Sequence, residues 1–113
     1  MIVKLHQQIT PDELIKVREE YGTFVKITVD VAREKVFAGG EYHADSEKIL
    51  LEEGSSQSDI WGGGIDLQTG EIYTNAMVNI RPGVNPSQHI LDADIRSIFT
   101  DIVREYFKGY VKD

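Results

Sequence analysis

Residues 24–45 read FVKITVDVAREKVFAGGEYHAD, and this stretch holds the pattern that decides the fold. Apolar and polar residues alternate from Phe24 to Val31, which is typical of a half-buried strand, and such strands are common in antiparallel sheets. Residues 32–35, AREK, then read as a short loop, and a second alternating run begins at Val36. The stretch therefore predicts a β-hairpin.

The pairing of these two strands decides which side chains share a face. We expect Val31 to pair with Val36, which sends every second residue from Val36 to Tyr42 to the apolar core face. Three polar residues then alternate along the opposite face: Glu41, His43 and Asp45. A shift of the register by one residue would exchange the two faces.

These three side chains carry the first functional hypothesis. Imidazole nitrogens and carboxylate oxygens are ligands for Zn, Mn or Fe, and His89 or Asp59 would complete the set. With His43 as acid or base beside a carboxylate, the same cluster would suit a metal-dependent hydrolase. The alternative is a solvated strand face with a hydrogen-bonded histidine. The chain has no Cys and no G-x-S-x-G pattern, so neither a thiolate nor a serine nucleophile is indicated.

The net charge is concentrated around the same residues. From Glu41 to Glu71 there are eight acids and one base, Lys48, a net charge of −7 that equals the net charge of the whole chain. A solvated surface that confers solubility is one explanation. The other is an acidic pocket for a divalent cation, a small cationic ligand or a basic protein surface, with the following lining: Glu41, His43, Asp45, Asp59 and Trp61.

The N-terminal segment predicts part of the scaffold. Residues 1–5 alternate weakly and would form an edge strand. Thr10 is placed to cap a helix whose first position is Pro11 and whose capping box is completed by Glu13. We expect this helix to end at Gly22 and to have an apolar face formed by Leu14, Val17 and Tyr21.

The middle of the chain is less regular. Residues 45–54 are compatible with a strand, but a short helix that Asp45 or Ser46 caps and Gly54 ends is favoured. Residues 60–67 predict a strand despite the glycines at 62–64, which indicate a bulge or a close backbone approach rather than a phosphate-binding loop. A turn over residues 66–71 leads to another strand, residues 72–80.

The last element has the clearest pattern. Apolar residues recur at helical spacing from Leu91 to Phe107, and Gly109 is placed to end the helix. We therefore predict an α+β fold in one compact domain, residues 1–113. About four mostly antiparallel strands would have the N-terminal helix and the long C-terminal helix packed on one face. The other face would be polar or buried in a homodimer, with these apolar candidates for the interface: Phe37, Trp61, Tyr73 and Met77.

Composition argues against several classes of protein. An acidic chain is unsuited to nonspecific nucleic-acid binding, which depends on clustered Lys and Arg. No apolar run reaches the length of a signal-peptide core or a membrane span, so we expect no membrane partner and a cytoplasmic location. No cofactor is required by any motif, although a divalent cation fits the acidic stretch.

A set of short motifs resembles a known family. The motifs span most of the chain and comprise residues 39–45 (GGEYHAD), residues 50–55 (LLEEGS), Gln57, Asp59, Trp61, Gly62 and residues 79–82 (NIRP). They are similar to a family of small prokaryotic proteins known only as a domain of unknown function. The resemblance implies one compact domain and supplies no activity, substrate or catalytic residue.

We expect a small binding or interaction protein with an acidic pocket for a cation or cationic ligand. A metal-dependent hydrolase that uses Glu41, His43 and Asp45 is the first alternative. A homo-oligomeric structural protein without a ligand is the second. Tight uptake of a divalent metal would favour the hydrolase, whereas dimerisation without any response to ligands would favour the structural protein.

Overall fold

The computed structural model describes residues 1–18 and 22–112. These residues form a five-stranded sheet and three α-helices, which confirms the α+β class with one strand more than the sequence predicted. In chain order the elements are β1 (Ile2–Leu5), α1 (Pro11–Val17), β2 (Phe24–Asp30), β3 (Lys35–Gly39), α2 (His43–Glu52), β4 (Ile60–Asp66), β5 (Ile72–Tyr73) and α3 (Ala93–Tyr106). Short 3-10 turns at Gln57–Asp59 and Met77–Asn79 precede β4 and follow β5.

The sheet has the strand order β1-β3-β2-β4-β5, and every pairing is antiparallel. One face, which we call the α1/α3 face, carries the alternate apolar residues of β2 and is fully buried at Val25, Ile27 and Val29. Val17 of α1 and Phe99 of α3 belong to the same core cluster. The N-terminal and C-terminal helices thus share one core with this face of the sheet.

The opposite face, which we call the α2 face, is covered as well. Phe37 of β3 and Ile60 of β4 form a second buried apolar cluster with Leu50 of α2. The prediction of a polar or oligomer-buried face was wrong, because the short helix α2 packs on this face rather than on the face that α1 and α3 cover. Phe37 and Trp61 are both buried, so neither contributes to an exposed apolar interface. The homodimer itself stays a prediction.

The β2–β3 hairpin turns one residue earlier than predicted, which shifts the register by two residues, so that Val29 rather than Val31 lies opposite Val36. The buried carboxylate of Asp30 fixes this turn. It accepts three hydrogen bonds, from the N–H of Ala32 (3.0 Å), the N–H of Arg33 (2.9 Å) and the hydroxyl of Ser55 (2.6 Å). Because the register is shifted by an even number of residues, each strand side chain keeps its predicted face.

β3 stops short of the residues that were predicted to form the cation site. β3 ends at Gly39, and Gly39 and Gly40 have φ of 90° and 88°, a backbone conformation that glycine adopts most readily. The chain therefore leaves the sheet and enters α2 at His43. Glu41, His43 and Asp45 do not alternate along a strand, so the prediction of their common strand face was wrong.

Helix α1 begins where the sequence predicted and ends earlier. Thr10 Oγ1 accepts a hydrogen bond from the Glu13 N–H, and the Glu13 carboxylate accepts one from the Thr10 N–H, which completes the capping box. The helix ends at Val17 because Arg18 already has an extended backbone, so the predicted end at Gly22 was wrong. Tyr21, expected on the apolar face of this helix, lies outside the described residues.

Helix α2 confirms the helical reading of residues 45–54, although it begins two residues earlier at His43. Its N-cap is Tyr42, which makes no side-chain capping bond, so the prediction of a cap at Asp45 or Ser46 was wrong. Gly54 follows the helix with a φ of 97°, the left-handed conformation expected of a glycine at this end.

Side chains, rather than a long strand, complete the outer edge of β4. The side-chain amide of Asn79 accepts a hydrogen bond from the Gly62 N–H at 2.8 Å and donates one to the Gly62 carbonyl at 2.9 Å. Arg81 donates from Nη2 to the carbonyl of Ile60. The predicted strand over residues 72–80 was wrong beyond Tyr73, because an amide and a guanidinium take the place of its backbone.

Helix α3 supports the sheet from the α1/α3 face. Asp92 caps it by accepting two N–H groups of the first turn at 2.9 and 3.1 Å. Phe99 and Val103 are fully buried, whereas Ile98 is 44% exposed, so only part of the predicted apolar run faces the core.

With 14 residues, α3 is the longest of the described helices, and none of them combines the length and apolar character of a membrane span.

Candidate functional site

A small pocket lies on the α2 face, next to the start of α2. Its volume is about 240 Å³, and its lining consists of Lys26, Tyr42, His43, Ala44, Met77 and Val78. Tyr42 and Met77 are 61% and 68% exposed. Residues from β2, from the beginning of α2 and from the turn after β5 therefore meet in one mostly apolar pocket, which we call the His43 pocket.

Glycines of β4 make room for the imidazole of His43. A Cβ atom on Gly62 would lie 2.9 Å from His43 Cδ2 and 2.8 Å from a methyl carbon of Val78, closer than side chains pack. His43 Nε2 lies 2.6 Å from the carbonyl oxygen of Gly63. Because a carbonyl oxygen can only accept, Nε2 carries the hydrogen in this contact. The close backbone approach predicted for these glycines is confirmed.

Of the residues predicted to line an acidic pocket, His43 is the one that lines this pocket. Glu41 and Asp45 lie just before α2 and in its first turn, and both are exposed. Within residues 1–18 and 22–112, no group of three or more His or acidic side chains is arranged to hold a metal ion. The cation site thus loses the strand geometry from which it was predicted, and metal binding stays a prediction for experiment.

Asp59 and Trp61 belong to a different grouping. Trp61 is buried in the core, and the guanidinium carbon of Arg81 lies 4.2 Å from the centre of its ring. Burial lowers the pKa of Arg81, while the negative charges of Glu47 and Asp59 act in the opposite direction. This cluster holds the edge of β4 in place. His89, the other proposed ligand, is exposed in the segment that pairs with residues 74–76.

Several acids of the charged segment have structural partners. Glu53 Oε1 accepts hydrogen bonds from the Nζ atoms of Lys4 and Lys35 at 2.8 and 3.2 Å, and these bonds lower the pKa of Glu53. Asp66 accepts from the Thr23 hydroxyl at 2.9 Å, which lowers the pKa of its carboxyl. The concentration of acids is therefore explained in part by contacts that hold the strands and turns together.

The size and lining of the His43 pocket limit what it can hold. Its volume of about 240 Å³ is below the roughly 300–1,000 Å³ typical of small-molecule sites. No Ser, Thr or acidic residue contributes to the lining in the described part of the chain. An apolar group of side-chain size fits this pocket better than a substrate that must meet a nucleophile or a carboxylate.

No pattern in the sequence marks the following residues as lining a pocket: Lys26, Tyr42, Met77 and Val78. Met77 and Val78 were assigned to a strand, and no local pattern marks the turn that brings them close to α2. The available signal was Asn79, because asparagine is depleted in strands and interrupts an otherwise apolar run. It indicates a turn in which a side chain replaces backbone pairing.

No curated protein and no solved structure matches this chain. The model of one family, described as "protein of unknown function (DUF5674)", matches residues 2–106, which extend from β1 to the end of α3. This match confirms the resemblance to a family known only as a domain of unknown function, and it assigns no activity. The chain belongs to the DUF5674 family of proteins of unknown function.

Proposed function

We propose that this protein is a binding module that holds a basic segment of a partner by taking one of its apolar side chains into the His43 pocket. The proposal rests on one observation: two large, exposed side chains, Tyr42 and Met77, border a small and mostly apolar pocket. Tyrosine and methionine are enriched at protein–protein interfaces, and a pocket that is dry once occupied is a common feature of binding hot spots.

The size and composition of the pocket support an apolar anchor. A volume of about 240 Å³ accommodates one side chain of leucine or phenylalanine size. The flexible thioether of Met77 adapts its shape to such a group, and the methylene stem of Lys26 adds apolar surface. His43 is held against Gly63 and therefore forms a fixed wall.

The surrounding charge supports a basic partner. Glu41 and Asp45 are exposed on either side of His43 in the sequence, and residues 41–71 carry the entire net charge of −7. Lys or Arg residues next to the anchor would meet these carboxylates. Charges of this kind orient a partner and speed its association more than they add affinity.

Titration with short peptides tests this function. The probes are three N-acetylated, C-amidated tripeptides with the sequences Arg-Leu-Arg, Arg-Gly-Arg and Glu-Leu-Glu. We expect Arg-Leu-Arg to shift the backbone amide NMR signals of residues 42–44 and 76–78, because it alone has both the apolar anchor and the positive charges. Equal shifts with Arg-Gly-Arg would refute the anchor, and equal shifts with Glu-Leu-Glu would refute the basic partner.

A matched pair of variants locates the site. Met77 and Val84 are both well exposed, at 68% and 76%, but only Met77 lines the pocket. Met77→Ala should weaken Arg-Leu-Arg binding by about tenfold, as expected for the loss of a hot-spot contact. Val84→Ala should leave the affinity unchanged. An equal loss in both variants would mean that the peptide binds elsewhere.

A further inference from the structure

A second concave surface lies between α3 and β5 and shares no residue with the His43 pocket. Two adjoining cavities of about 350 and 560 Å³ have Ile72, Thr100 and Arg104 in common. Together they extend from Lys112, near the C-terminal end of the described chain, to Ala93 at the start of α3. We call this surface the β5 groove.

The backbone of β5 faces this groove at Ile72. The Asp66 N–H donates to the Glu71 carbonyl at 2.9 Å, so Glu71 directs its backbone groups towards β4. In an antiparallel ladder successive residues point their N–H and C=O groups to alternate sides. Ile72, which is opposite Ile65 in this ladder, therefore directs its N–H and C=O away from β4.

The positions on either side of Ile72 are already paired along this outer edge. The Gly70 carbonyl accepts from the Lys112 N–H at 2.7 Å, and the Thr74 carbonyl accepts from the Ile90 N–H at 3.0 Å. Between them, the N–H and C=O of Ile72 have no hydrogen-bond partner in the described part of the chain. One donor and one acceptor of an open strand edge thus lie in the groove, where an extended chain can pair with them.

The β5 groove is basic in an otherwise acidic protein. Arg96, Arg104 and Lys112 contribute to its lining, with Asp101 of α3 as an opposing acid. Arg96 donates from Nη1 to the Ile90 carbonyl at 2.9 Å, which fixes its position at one end. The protein as a whole has a net charge of −7, so this local excess of bases stands out from its surroundings.

Glu71 also contributes to the groove lining, but its carboxylate points to the side of β5 that faces away from α3. The Tyr73 hydroxyl lies 3.4 Å from a Glu71 carboxylate oxygen, and the Tyr73 ring packs at 5.3 Å from the ring of Phe24 on the α2 face. Residues 71 and 73 have the same parity in the strand, so both side chains point away from α3. The acid that remains on the α3 side is Asp101.

We propose that the β5 groove binds an extended acidic peptide, which pairs its backbone with Ile72 and places carboxylate side chains against Arg104 and Lys112. The open N–H and C=O pair selects an extended backbone, and the basic lining selects acidic side chains through charge-assisted hydrogen bonds. A second copy of this chain fits less well, because none of its described strands carries more than one acidic residue.

Binding of defined hexapeptides tests the proposal. The probes are N-acetylated, C-amidated peptides with alternating Thr and Glu, the same peptide with Lys in place of Glu, and the Glu peptide with its central amide nitrogens methylated. We expect the Glu peptide to shift the amide signal of Ile72 and to bind at least tenfold more tightly than either of the others. Equal binding of the Lys peptide or of the methylated peptide would overturn the proposal.

Three further measurements complete the experiment. Arg104→Gln should weaken the Glu peptide by about tenfold, whereas Lys108→Gln, on an exposed residue outside the groove, should leave the affinity unchanged. Glutarate should bind far more weakly than the peptide, and equal binding would overturn the proposal in favour of a site for small carboxylates. A dimer in sedimentation experiments that Arg104→Gln dissociates would overturn it in favour of a second copy. None of these outcomes bears on the His43 pocket.

Discussion

The side-chain amide of Asn79 pairs with Gly62 as a neighbouring strand would, through one bond with its N–H and one with its carbonyl. Arg81 continues the same edge at the carbonyl of Ile60. Two side chains thus complete the ladder that β5 begins. They also fix the turn that holds Met77 beside the His43 pocket.

Replacement of Asn79 should be severely destabilising. Asn79→Ala leaves the buried N–H and C=O of Gly62 without partners, at about 1–3 kcal/mol for each group. We expect the free energy of unfolding in urea to fall by roughly 2–5 kcal/mol. Asn75→Ala is the matched control, because Asn75 is half-buried and makes no side-chain hydrogen bond within the described residues. An equal effect of the two substitutions would contradict the edge-pairing role of Asn79.

The close approach at Gly63 predicts a strong steric effect. A Cβ atom there would lie 2.1 Å from the Tyr73 carbonyl oxygen and 2.8 Å from the ring of Phe99. Gly63→Ala should therefore cost about 3 kcal/mol or more. A Cβ atom on Gly83 would meet nothing within 4 Å beyond its chain neighbours, so only the φ of 79° opposes a side chain there. Gly83→Ala should therefore cost about 1–2 kcal/mol. Calorimetric melting of the two variants compares these losses.

Truncation within α3 should distinguish its buried and exposed faces. Ile102 is 5% exposed and belongs to the main core, whereas Ile98 is 44% exposed. Ile102→Ala should lower the free energy of unfolding by about 2–5 kcal/mol, and Ile98→Ala by less than about 1 kcal/mol. Denaturant melts of the two variants that coincide would show that α3 does not pack as described.

Glu53 should contribute to the pH dependence of stability. Hydrogen bonds from Lys4 and then Lys35 lower its pKa from the ordinary value of 4.5. A carboxyl whose pKa is lowered by folding stabilises the protein above its unfolded pKa, and this contribution is lost as the pH falls through the folded-state pKa. The parent should therefore melt above Glu53→Gln at neutral pH, and the difference should vanish in acid. Glu52 has no ion pair in the described chain, so Glu52→Gln should melt close to the parent at neutral pH as well as in acid.

The response to divalent metals tests the predicted cation site. Because the described residues contain no cluster of three ligands, we expect Mn or Zn to change the melting temperature equally in the parent and in His43→Ala. His6→Ala serves as the control for general effects of a lost imidazole. A response that chelator reverses and that only His43→Ala abolishes would restore the metal-site hypothesis in a geometry other than a strand face.

The elements that the sequence predicted well are those with local signals. The capping box of Thr10 and Glu13 fixes the start of α1, and the alternation of Val25, Ile27 and Val29 fixes the faces of β2. Both patterns act over a few residues and depend little on the rest of the chain. The C-terminal helix has an equally clear repeat, although its pattern did not show that Ile98 is exposed.

The features that the sequence did not predict depend on contacts between distant residues. The hairpin register follows from the buried carboxylate of Asp30 and its bond to Ser55, which is 25 positions away. The length of β5 follows from the pairing of Asn79 with Gly62, 17 positions away. Neither contact leaves a periodic signal. The candidate site was misplaced for the same reason, because Tyr42 and Met77 line one pocket although they are 35 positions apart in the sequence.

The strand order has a consequence for the kinetics of folding. The β2–β3 hairpin closes over a four-residue loop, so we expect it to form early, on the microsecond scale of isolated hairpins. The β2–β4 pairing joins Asp30 to Ile60 across all of β3 and α2. The β1–β3 pairing closes a loop of similar length, from Leu5 to Val36. Closing such loops costs entropy before their contacts form, so the addition of β4 and β1 to the hairpin should limit the rate at which the whole sheet assembles.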